Sequence, residues 1–157
     1  MPEFDGLTSF RKSGLQRLRD AEHMLNPPTI DLQEQGASAR HMRGAMYLCG
    51  YSVECLFKAY LITQYPPSQR LSDVLSELRK ADPTVRDICG QAGHDLRYLL
   101  ILTKLEGQMD KERLAQMNHC AKWRSSWRYS PTPAREDDAR AMVQAARALV
   151  NWILSLI

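Results

Sequence analysis

The stretch RHMRGAMYLCGYSVECLFKAYL, residues 40–61, reads as a single helix carrying two opposed stripes. At about 100° per residue, Met42, Ala45, Met46, Cys49, Val53, Leu56, Phe57 and Tyr60 gather on one side. Arg40, Arg43, Tyr47, Tyr51, Glu54 and Lys58 gather on the other. The first stripe is an ordinary core face. The second sets two tyrosines between two arginines and a Glu/Lys pair four apart, whereas a plain solvent face is built from Lys, Glu, Gln and Ala. Such a stripe suits a groove, a subunit contact or an anionic ligand, or else it is a solvated face whose tyrosines lie flat on their neighbours.

Outward from this stretch the same rhythm recurs. Phe10, Leu15, Leu18, Ala21 and Leu25 predict a helix over residues 8–25, stopped by Asn26-Pro27-Pro28. Residues 30–36 are a polar connection, and the two-striped helix runs over 37–64 to Tyr65-Pro66-Pro67. A shorter helix over 68–80 follows, closed by Ala81-Asp82-Pro83, and 84–89 is a single turn. Residues 90–93 form a loop that delivers His94 and Asp95 to the start of a helix over 96–105, and Gly107 separates it from another over 110–127. The last helix has Thr132 as its N-cap, Pro133 at the first helical position and Glu136, Asp137 and Asp138 near the positive end of its dipole, and it runs to Ile157. No alternating run competes, so the predicted fold is all-α, an antiparallel up-and-down bundle of four to five main helices with a short helical insertion.

A chain of 157 residues is one domain, long enough to bury a core without disulfides or metal. Its cysteines, at 49, 55, 89 and 120, form no CxxC pair and read as reduced thiols. His23, His41, His94 and His119 are scattered with no HExxH, so no metal site and no cofactor are expected. The opening MPEFDGLTSFRK lacks the apolar run of a secretory signal, and no apolar run is long enough for a bilayer; a cytoplasmic protein without membrane contact is expected. Net charge is +3, yet residues 119–135 hold Lys122, Arg124, Arg128 and Arg135 with no acid, so basic charge is concentrated there.

Within that basic segment Trp123 and Trp127 stand four apart, as do Arg124 and Arg128. On a helix this gives an indole face beside a guanidinium face: a phosphate clamp next to stacking rings, or core anchors beside solvated arginines. Asp95 is placed to cap a helix, with His94 beside it as a cleft residue. Glu54 and Lys58 form an i,i+4 pair; if buried they need partners, and Arg124 or Arg128 can supply one for Glu54.

Taken together, GYSVECLFKAYL at 50–61, GHDLRYLL at 93–100, WRSSWRYS at 123–130 and the closing amphipathic helix resemble the HEPN family, small helical domains of prokaryotic toxin and defence systems. The resemblance covers nearly the whole chain, residues 1–157 as a single domain. It implies a homodimeric bundle that binds a nucleotide or RNA, with an antitoxin or other partner protein, and in active members a metal-independent ribonuclease. Such nucleases carry an Arg followed four to six residues later by a His, which suits moving a proton while neutralising phosphate. Arg128 is the best positional match, but no histidine follows His119; the spacing occurs in Arg113 and His119, the candidate catalytic pair. Arg40, Arg43, Tyr47, Tyr51, Glu54, Lys58, His94, Asp95, Arg124, Arg128 and Tyr129 are the candidate nucleotide- or RNA-binding set. The functional expectation is a binding module that does not cleave, with a ribonuclease and a structural assembly subunit as alternatives.

Overall fold

The computed structural model describes residues 5–26, 35–130 and 132–157, the side chains of residues 35–40 being outside that description. Six α-helices make up the described fold: α1 (Leu7–Leu25), α2 (Gln35–Thr63), α3 (Leu71–Ala81), α4 (Leu96–Thr103), α5 (Lys111–Cys120) and α6 (Glu136–Leu154). Short 3₁₀ turns occupy Gln91–His94, Leu105–Gln108 and Ser125–Tyr129. Among the described residues there is no strand; Gly6 and Arg70 form an isolated antiparallel bridge. The predicted helical bundle is therefore observed, and no helix among the described residues is long and apolar enough to cross a membrane.

The chain packs around α2. The Ser52 hydroxyl donates to the Gly14 carbonyl at 2.6 Å while Met24 lies against Gly44, so α1 and α2 run antiparallel. Arg140 reaches the Leu25 carbonyl and Arg147 the Glu22 carboxylate, which sets α6 antiparallel to α1. All eight residues of the first stripe of α2 are buried, and Phe57, Leu56, Leu149 and Ile153 belong to the fully buried centre. From Ser52 to Ile62 every residue of α2 is buried, Glu54 and Lys58 included. The second stripe is thus covered along its C-terminal half, and Arg43, Tyr47 and Tyr51 are half-buried rather than solvated. Arg40 and most of the polar connection at 30–36 lie outside the described residues or side chains.

Several predicted boundaries move, two of them for a tertiary reason. α2 begins at Gln35, and α3 covers Leu71–Ala81, close to expectation. α5, however, stops at Cys120 instead of running to 127. Continuing it would keep Trp123 and Trp127 on one helix face; instead Trp123 turns inward, 2% exposed, and donates its indole N–H to the Tyr47 carbonyl at 3.0 Å. Burying an indole with its N–H satisfied outweighs a few helical hydrogen bonds. α6 starts with Arg135 as N-cap, not Thr132, and Pro133 is not its first residue. Arg43 donates to the Thr132 and Pro133 carbonyls, 3.3 Å each, and so holds that segment outside the helix. α4 ends at Thr103, two residues early, where Lys104 adopts φ 57° and terminates it. α6 likewise ends at Leu154.

Candidate functional site

Glu54 has its carboxylate in the core, its side chain only 2% exposed. A lone buried carboxylate is costly, and two groups compensate it. Lys58, one turn further along α2, places Nζ 2.6 Å from Oε1. His94, forty residues away in sequence, places Nδ1 3.0 Å from Oε2. The expected arginine partners, Arg124 and Arg128, do not reach Glu54 among the described contacts. Because a carboxylate only accepts, the Nδ1 facing it carries a proton, and Nε2 is the nitrogen left available. The His94 side chain is 37% exposed, open to one side and braced on the other.

Local backbone brings His94 to that position. Residues Gln91–His94 make a 3₁₀ turn pressed so closely on the core that a Cβ at Gly93 would sit 2.0 Å from the Ile88 carbonyl oxygen and 2.9 Å from Lys58 Nζ. Only glycine fits there. Asp95 then caps α4 as expected, accepting from the Arg97 and Tyr98 backbone N–H groups at 3.1 Å each, and pairs with Arg86 at 3.1 Å. Partial burial alone would raise the Asp95 carboxyl; the Tyr98 and Arg97 N–H groups and the Arg86 guanidinium outweigh it and hold it below its ordinary value.

Trp123 forms the neighbouring wall. Its ring occupies the space above Gly50, where a Cβ would lie 2.1 Å from the indole, and it meets His94 edge-on at 6.3 Å between centroids. Tyr47 packs against its other side at 6.2 Å, and Tyr51 stacks in turn on Tyr47 at 6.3 Å. The two tyrosines of the second stripe therefore support the wall, and burial makes Trp123 part of that wall rather than a stacking platform.

Between these parts lies an open cleft of about 940 Å³, lined by Arg86, Asp87, Gln91, His94, Asp95, Arg97, Trp123, Arg124, Ser125 and Ser126, among others. Its three guanidiniums differ in their partners. Arg86 is paired with Asp95 and lies 4.0 Å from the centre of the Tyr98 ring. Arg97 donates only to the Asn118 side-chain oxygen at 3.1 Å, and Arg124 only to the Ala121 and Trp123 carbonyls, at 3.1 and 2.8 Å. Both are thus held in place by neutral acceptors with their charge uncompensated by any described carboxylate. With His94 and two serine hydroxyls, they make a donor-rich site for an anion.

The sequence-nominated residues divide as follows. His94, Asp95 and Arg124 line the cleft; Glu54 and Lys58 lie beneath it, and Tyr47 and Tyr51 behind it. Arg43 and His119 belong to a separate pocket on the far side of the Ser125–Tyr129 turn. Arg113 is paired with Asp110 and lies 5.3 Å over the Trp152 ring. It stands six positions from His119, about 120° around the helix, and no described contact or shared pocket joins the two. Arg128 and Tyr129 are exposed outside the cleft, the guanidinium 5.6 Å over the tyrosine ring, because the 3₁₀ turn separates Arg128 from Arg124. Arg86, Arg97, Gln91, Ser125 and Ser126 were not anticipated; Arg97 had a signal, standing three residues after His94 in GHDLRYLL. Among the described residues no group of His, Cys, Asp and Glu is arranged to hold a metal ion. Comparison with known protein families, curated proteins and solved structures finds no match to this chain.

Proposed function

We propose that the cleft binds the phosphate groups of a nucleotide or single-stranded RNA, and that the chain is a HEPN-like binding module. The observation that carries this reading is the pair Arg97 and Arg124, two guanidiniums held by neutral acceptors in the same cleft as a braced histidine. Fixed guanidiniums suit phosphate because their paired N–H groups match two oxygens at once. RNA is supported by the turn that forms one edge of the cleft. Three residues beyond Ser126 it presents Tyr129, 80% exposed beside Arg128, on which a base of a strand leaving the cleft can stack.

The test is fluorescence anisotropy with a labelled single-stranded RNA. Arg97→Gln and Arg124→Gln are each expected to weaken binding about tenfold without lowering the melting temperature, the scale of a lost charge-assisted hydrogen bond. Unchanged affinity in both variants contradicts the reading.

A second reading, metal-independent cleavage of the bound RNA, is favoured by the Glu54–His94 contact, since an imidazole held in one tautomer by a carboxylate can move a proton. His94→Ala is then expected to abolish cleavage measured in the presence of chelator, whereas RNA that stays intact with the parent protein contradicts it. The HEPN resemblance also implies a homodimer and a cognate antitoxin; Ile101, 63% exposed on α4, offers apolar surface for such a contact.

A further inference from the structure

A second pocket, of about 330 Å³, lies on the opposite side of the Ser125–Tyr129 turn, between α2, α5 and the start of α6. Its volume is at the lower end of the range for small-molecule sites, about 300–1,000 Å³. The floor is apolar: Met46 and Met142 are buried, and Trp127 is half-buried beside them. Arg43 stands at its edge, and three contacts fix it. Its guanidinium lies 4.7 Å from the centre of the Trp127 ring, and it donates from Nε to the Thr132 carbonyl and from Nη2 to the Pro133 carbonyl, 3.3 Å each. None of these partners carries a charge. An arginine has five N–H donors, so most of the Arg43 donors are left for a ligand, on a group already immobilised. Lys122 and His119 line the same pocket, and among the described residues no carboxylate pairs with Arg43 or Lys122; Asp138 is the single acid in the lining.

We propose that this pocket is a binding site for a small amphipathic anion: an aromatic or branched apolar body against Met46, Met142 and Trp127, with a carboxylate or phosphate head on Arg43 and Lys122. The physical warrant is the separation of the two chemistries within one pocket, apolar at the floor and cationic at the edge, with the chief cation held rigidly in advance of binding. The site is independent of the phosphate cleft, because the turn stands between them and no side chain lines both.

The test uses the full chain, ¹⁵N-labelled, titrated with benzoate, phenyl phosphate and the neutral benzamide while amide and indole resonances are followed. Benzoate or phenyl phosphate is expected to shift the Trp127 indole N–H and the Arg43 and His119 amides, the tighter of the two identifying the preferred head group. Benzamide is expected to bind at least about tenfold more weakly, since it lacks the charge that the guanidinium recognises. Lys122→Gln, an exposed substitution that removes no described contact, is expected to weaken the anion about threefold to tenfold with unchanged melting. Arg43→Gln is expected to abolish binding, but it also frees the Thr132–Pro133 chain, so Lys122→Gln is the deciding variant. Benzamide binding as tightly as benzoate, shifts confined to His94, Arg97 and Ser125, or no response up to about 10 mM anion would each overturn the proposal.

Discussion

Glu54 shows how a single side chain ties stability to the site. It compensates buried Lys58 and orients His94, so its removal strands a cation in the core. Glu54→Ala is expected to lower stability by about 3–5 kcal/mol in a denaturant titration, whereas Glu54→Leu combined with Lys58→Met, which removes both charges, recovers most of that loss. A double variant no more stable than the single one would show that the pair does more than neutralise itself. The i,i+4 relation of Glu54 and Lys58 and the capping role of Asp95 were legible in the sequence, because both depend on residues within one helical turn. His94 as the second partner of Glu54 was not, since 40 residues separate them and only the fold brings them together. For the same reason the motif position of Arg128 does not translate into a place in the cleft, whereas Arg86, in the loop before α4, and Arg97, on α4 itself, line it.

At the level of elements, periodicity identified each α-helix among the described residues, and the largest differences fell at ends where a tertiary contact competes with helix continuation. The indole of Trp123 ended α5 and the guanidinium of Arg43 delayed α6, both by engaging backbone carbonyls in or beside other elements. Neither contact leaves a trace in local composition. α4 ends differently, through its own backbone, with Lys104 in the left-handed region that favours glycine. Lys104→Gly is expected to stabilise the protein by about 0.5 kcal/mol, as relief of the left-handed strain exceeds the added chain entropy of glycine. A lower melting temperature would mean that the Lys104 side chain contributes more than its backbone costs.

Across the whole molecule the core and the cleft impose separate signatures. Burial pushes the Cys55 and Cys120 thiols up from 9.0 to about 12 and also raises Cys49 well above its ordinary value, helped by nearby Cys120. A group whose folded value is raised stabilises fully below its unfolded value and loses that contribution as pH climbs toward the folded one. Melting temperature is therefore expected to fall between about pH 9 and 12. Thiol labelling of the native protein at neutral pH is expected to modify exposed Cys89 alone, and all four cysteines once the chain is unfolded. The cleft makes its own demand on charge: each arginine that touches phosphate releases counterions when RNA binds. The most direct test is the slope of log affinity against log salt for single-stranded RNA, compared between the parent chain and Arg97→Gln/Arg124→Gln. Two lost phosphate contacts are expected to flatten that slope by about 1.4, at about 0.7 per contact on a single strand. A slope identical in the two proteins would contradict the assignment of the cleft to phosphate.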